Sequence, residues 1–133
     1  MADIRPVTDR FAVAPQLNVE ELQLAAQLGF SFVINNRPDG EVPDQPTSAQ
    51  MQAAATAAGL GYVHVPVVGM ATPDQVAQMA DAIAANDGKA LAFCRSGTRS
   101  IMTWARGQAL AGQDREHLID CALEAGYDIS AVI

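Results

Sequence analysis

The sequence predicts a single α/β domain over residues 1–133, with a central, mostly parallel sheet of four or five strands flanked by helices. Three observations carry that expectation. The chain has 133 residues, enough for one domain whose core needs neither metal nor disulfide. Short β-branched or aliphatic runs alternate along it with amphipathic stretches of helical length. Those runs are apolar throughout rather than at every second residue, as expected of strands covered on both faces.

A short extended segment around Phe11–Val13 comes first. Asn18 then caps a helix through "VEELQLAAQL", which has two glutamates in its first turn and Gly29 past its end. "FSFVIN", residues 30–35, reads as a buried strand. "NRPDGEVPDQP" cannot prolong it, because three prolines and a glycine interrupt any regular element. "TSAQMQAAATAA" fits a second helix closed by Gly59, and "YVHVPVV" the next strand. Thr72, Pro73 and Gln75 form the start signal of a third helix, whose core face is Val76, Met79, Ala80 and Ile83. Asp87-Gly88 ends it. "KALAFC" is a continuous apolar strand, followed by helices from about Ser100 to Ala111 and from about Asp114 to Ala125.

Composition narrows the function classes. Half the residues are hydrophobic but only 5% are aromatic, so the core is aliphatic and alanine-rich. A net charge of −7 argues against nucleic acid or an acidic membrane as partner. The two cysteines, Cys94 and Cys121, lie in no CxxC or Cys/His ligand spacing, which points to free thiols in a reducing compartment and implies no metal. No apolar run suits a signal peptide or a membrane span, so a cytoplasmic location is expected, and no cofactor is implied.

In parallel sheets, ligands bind beyond the carboxyl ends of the strands. Three such ends here are Asn35-Asn36-Arg37, the turn after Val67-Val68, and Cys94. The last opens "CRSGTRS", where Arg95, Ser96, Gly97 and Thr98 form a tight turn before Arg99 and a helix starting near Ser100. Amides at such a turn point inward as an anion nest, and Gly97 permits a backbone angle other residues resist. A cysteine facing amides, a helix N-terminus and a guanidinium has its thiolate favoured. Cys94 is therefore the expected nucleophile, with Arg99 stabilising charge and Ser100 donating to the sulfur. Arg95, Ser96, Gly97 and Thr98 are expected to line the substrate site, with Arg37 from the neighbouring loop. Glu41 shares that loop, and the two residues either position a substrate together or form a surface ion pair in the turn. His64, Cys121 and Trp104 read as core residues, and Asp74 as a first-turn carboxylate favouring a helix dipole.

Cys94-Arg95-Ser96-Gly97-Thr98-Arg99 resembles the six-residue Cys-x-x-Gly-x-Arg loop of rhodanese-type sulfurtransferases. Cysteine-dependent phosphatases carry Cys-x5-Arg in the same strand-to-helix setting. Taken with "FAVAPQL", "GFSFVINNRPDGEVPDQP" and "AAGLGYVHVPV", the chain from about residue 4 to 112 resembles the bacterial beta-lactamase-hydrolase-like phosphatase-domain family. That resemblance implies a cysteine-phosphatase-like fold of the dual-specificity type. It also implies an enzyme that occurs alone or fused to sulfide- and persulfide-oxidising partners.

Two departures from the phosphatase pattern favour sulfur over phosphate. The loop has four residues between Cys94 and Arg99 instead of five, so its ring of donors is smaller. Gly69 falls where the phosphatases place a general-acid Asp, and Phe93 replaces the His before their cysteine. The leading expectation is a sulfurtransferase that forms a Cys94 persulfide from thiosulfate or a small persulfide donor and passes sulfur to a thiol or cyanide. The alternatives are a phosphatase acting on a phosphomonoester through a phosphocysteine, and a non-catalytic anion- or partner-binding module.

Overall fold

The computed structural model describes residues 2–133. Strands β1 (Arg5–Thr8), β2 (Phe11–Ala14), β3 (Phe30–Asn35), β4 (Gly61–His64) and β5 (Lys89–Phe93) form one sheet in the order β1-β2-β5-β3-β4. All neighbours are parallel except β1, which pairs antiparallel with β2. The strand β1 was not anticipated. Its polar, proline-containing "RPVT" carries no strand signal, and an edge position tolerates Pro6 because an edge leaves one row of backbone groups unpaired.

Among the described residues, five helices cover the sheet: α1 (Val19–Gln27), α2 (Ser48–Ala57), α3 (Pro73–Ala85), α4 (Thr98–Leu110) and α5 (Arg115–Glu124). Capping boxes at Asn18/Glu21, Thr47/Gln50 and Thr72/Gln75 start the first three. On one face α1 and α2 bury Leu22, Ala25, Met51 and Ala55 against Leu91, Phe93 and Val33. On the other, α3, α4 and α5 bury Met79, Ile101, Trp104 and Leu118 against Val13, Ile34 and Ala92. Trp104 anchors that face, stacked on Phe11 with ring centroids 5.1 Å apart. The central strand β5 lies between the two layers, which is why "KALAF" is apolar on both sides.

The expected strand 62–68 is shorter than its apolar run. Pro66 has no N–H to donate, and the ladder ends at His64. The chain still tracks β3: Val65 N–H donates to the Asn35 carbonyl and Val67 N–H to the Asn36 carbonyl, both at 2.9 Å. That extension carries the 65–70 segment to the rim where β5 ends.

Candidate active site

The three strand ends expected to converge do so. Asn36, just past β3, donates its N–H to the Phe93 carbonyl at 2.8 Å. Cys94 follows β5 directly, and α4 begins at Thr98, two residues earlier than the expected Ser100. Gly97 occupies the N-cap in the left-handed conformation at φ 91°, where no side-chain cap is available. The Gly97 amide donates to Cys94 Sγ at 3.1 Å. Cys94 is itself fully buried. Cys94 and Cys121 are both free thiols.

Arg99 is the second residue of α4, and its side chain folds back across the site. Its guanidinium donates to the Val67 carbonyl at 2.8 Å and to both Glu41 oxygens at 2.8 and 2.9 Å. Its pKa is raised, first by Glu41 and further by the nearby Cys94 sulfur. Glu41 is held in turn by Arg37 Nε at 2.8 Å. Two guanidiniums on one carboxylate bring the Glu41 pKa down to about 2, with Arg99 the larger cause.

Arg37 is placed differently from its expected role. Its side chain is only 5% exposed, and its donors go to Glu41 and to Gln16 Oε1. Its backbone is fixed as well. The Arg37 N–H meets Asn35 Oδ1 at 2.9 Å, and its carbonyl accepts from His64 Nε2 at 2.8 Å. Arg37 is thus a buried brace for Glu41 and not an open anion ligand. The carbonyl contact assigns the proton to Nε2 of His64, in keeping with its expected structural role.

The remaining loop residues divide. Ser96 Oγ and Thr98 Oγ1 lie 3.0 Å apart on the exposed side of the turn. The Arg95 side chain is exposed, while its carbonyl accepts from Gln16 N–H at 3.2 Å. Arg95 does not join the cluster around the sulfur, because the turn that aims the Gly97 amide inward leaves residue 95 on the outside. The expected donation from Ser100 to the sulfur is not made: Ser100 is fully buried, and its hydroxyl has no hydrogen-bond partner among the described residues. Gly69 has φ 67° and Asp74 is exposed in the first turn of α3, consistent with the dipole reading.

Two participants were missed: Gln16, and Tyr127, whose hydroxyl donates to the Ser96 carbonyl at 2.8 Å. Glu41 had a visible signal in "RPDGE", where arginine and glutamate are four apart around a turn. Nothing local marks Tyr127, which is 31 residues from the carbonyl it holds.

Comparison with known proteins shows the family and the fold. A family model described as beta-lactamase hydrolase-like protein, phosphatase-like domain, matches residues 3–111. The beta-lactamase hydrolase-like protein of Xylella fastidiosa is 36% identical over 129 residues, which are 96% of this chain but only 30% of that protein. The chain therefore spans about a third of the length of that relative. Among solved structures, a candidate phosphatase from Neisseria meningitidis is 31% identical, with a TM-score of 0.84 over 96% of this chain and 92% of the other. Tk-PTP in its active form shares the fold, with a TM-score of 0.72 at 20% identity over 91% of this chain and 83% of the other.

Proposed function

Because the chain belongs to the beta-lactamase hydrolase-like, phosphatase-like domain family, we propose that it is a cysteine-dependent phosphatase acting on phosphomonoesters. The observation that carries the reading is the Gly97 amide on Cys94 Sγ at the start of α4, with the Arg99 guanidinium held at the same rim by Glu41 and the Val67 carbonyl. The Cys94 thiolate attacks phosphorus, the P–O ester bond breaks, and the leaving oxygen departs as its oxyanion with the electron pair and takes a proton from solvent. Water then displaces the sulfur from the phosphocysteine, giving inorganic phosphate and the free thiolate. Loop amides and Arg99 stabilise the charge that develops on the phosphoryl oxygens.

The surroundings limit which esters react. Glu41 is the carboxylate at the site, and with its pKa near 2 it holds no proton to donate at neutral pH. Without a general acid, leaving groups that need protonation lose about 10²–10⁴ in rate. The substrate class is therefore esters of acidic hydroxyls, such as aryl or enol phosphates. The test is hydrolysis of an aryl and an alkyl phosphate by one preparation, with rapid quenching to trap phosphorylated Cys94. Aryl hydrolysis with a phosphorylated Cys94 is expected; no Cys94-dependent hydrolysis of either ester overturns the reading.

Sulfur transfer, expected first from the sequence, finds no support among the relatives and stands as the second reading. One observation favours it: only four residues separate Cys94 from Arg99, and sulfite or a thiolate leaves without a proton. In that reaction the thiolate attacks the outer sulfur of thiosulfate, the S–S bond breaks, and sulfite departs with its electrons. A thiolate or cyanide then takes the outer sulfur from the Cys94 persulfide.

A further inference from the structure

Tyr127 lies past the end of α5 and outside the segment the family model matches, yet it reaches the cysteine loop. Gly126, at φ 97°, turns the chain after the helix, and the Tyr127 N–H closes the turn on the Ala122 carbonyl at 2.8 Å. The Arg5 guanidinium covers the ring at 5.2 Å from its centroid. The ring is buried, 9% exposed, so the hydroxyl is delivered from a fixed position.

What it holds is one particular peptide unit. The Ser96 carbonyl that accepts from Tyr127 and the Gly97 N–H that donates to Cys94 Sγ belong to the same peptide bond. In a trans peptide these two groups point in opposite directions, so anchoring the carbonyl outward aims the N–H inward. Glycine on the following side leaves that unit otherwise free to rotate. A Cβ on Gly97 would collide with the Tyr127 hydroxyl, so glycine and tyrosine fit as a pair.

We propose that Tyr127 is a positioning residue whose hydroxyl locks the Ser96–Gly97 peptide with its N–H on the nucleophilic sulfur. Hydrogen bonding at the carbonyl also polarises the amide and strengthens its donation to a thiolate. Burial raises the Tyr127 pKa, with the nearby sulfur adding to the effect and Arg5 opposing it. The phenol accordingly keeps the proton that this role requires. The proposal rests on Cys94 being the nucleophile.

The test compares the intact chain with Tyr127→Phe, which keeps the ring and removes the donor. The Cys94 thiolate absorbance at neutral pH is isolated by subtracting the spectrum of Cys94→Ser, and kcat is measured in whichever of the two reactions the wild type performs. In Tyr127→Phe the thiolate absorbance is expected to fall severalfold and kcat about tenfold, a fraction of what losing a whole oxyanion donor costs. The melting temperature should move by only a few degrees. Full retention of both signals overturns the inference and leaves the nucleophile intact, as does a lower melting temperature with both signals unchanged. A fall in kcat at constant thiolate absorbance also overturns it, because the hydroxyl would then be acting elsewhere than on the Gly97 amide. If the wild type shows neither a Cys94-dependent absorbance nor Cys94-dependent turnover, the nucleophile reading fails first.

Discussion

Arg99 and Glu41 form a two-point ion pair, with Nη1 on Oε2 at 2.8 Å and Nη2 on Oε1 at 2.9 Å, while Nη1 also reaches the Val67 carbonyl. One guanidinium thereby ties the helix after the cysteine to two other loops of the rim. A single ammonium cannot make a parallel pair of bonds and a third contact in one plane. Arg99→Lys, which keeps the charge, is therefore expected to lower kcat/KM by at least tenfold. Activity close to wild type would show that charge alone is required.

The same pair makes an acid-limb prediction. Glu41 is depressed from 4.5 to about 2, chiefly by Arg99 and then by Arg37. A depressed carboxylate contributes stability that is fully present above its unfolded pKa and is lost as pH falls through the folded one. Its contribution should thus be intact above about pH 4.5 and fade between there and pH 2. Glu41→Gln should lose about 1 kcal/mol at neutral pH, as a partly exposed ion pair does, and show a flatter acid limb. Parallel acid limbs in urea melts of the two proteins would reject the pairing as a source of stability.

Gly97→Ala meets two obstacles. The residue sits at φ 91°, a conformation costing an L side chain roughly 1–2 kcal/mol, and the new Cβ runs into the Tyr127 hydroxyl. The melting temperature should fall by roughly 5–10 °C. In a Tyr127→Phe background the penalty should shrink without vanishing, because the backbone strain remains. An unchanged penalty would mean that the hydroxyl contributes nothing to it.

Much of this arrangement was legible in the sequence. Strand-Cys-x-x-Gly-x-Arg-helix is a local pattern, and each of its parts has a local physical reason. The parallel sheet followed from fully apolar runs such as "KALAF". Non-local matters were harder. Arg37 looked like a substrate ligand because a loop arginine at a strand end is usually solvated; its burial depends on Gln16, 21 residues away. The edge strand β1 owes its pairing to β2 and not to its own residues. Tyr127 follows a helix C-terminus and reaches the loop only through the packing of α5 against β1 and α4.

Binding and chemistry should separate at Cys94. Cys94→Ser keeps the loop amides and Arg99 but replaces the thiolate with a hydroxyl that remains protonated at neutral pH. Turnover should drop below detection while inorganic phosphate binds within a few-fold of wild type by calorimetry. Arg99→Ala should do the opposite to binding, weakening it by tenfold or more through loss of a charged donor. If Cys94→Ser retains wild-type turnover, the nucleophile lies elsewhere.

The reaction class is decided by running both chemistries side by side on one preparation. Nitrophenol release from an aryl phosphate reports hydrolysis, and thiocyanate formation from thiosulfate and cyanide reports sulfur transfer. Nitrophenolate leaves without a proton, so the ionised state of Glu41 is no obstacle, and hydrolysis is expected to exceed sulfur transfer. Mass spectrometry of quenched Cys94 should then show a phosphoryl group with the ester and no added sulfur with thiosulfate alone. The size of the loop pulls the other way, since its four intervening residues offer one amide fewer than a five-residue loop. A stable persulfide on Cys94 with faster thiocyanate formation would therefore replace the phosphatase reading with the sulfurtransferase one. Silence in both assays from a folded protein whose Cys94→Ser variant still binds phosphate would mark the loop as an anion-binding module.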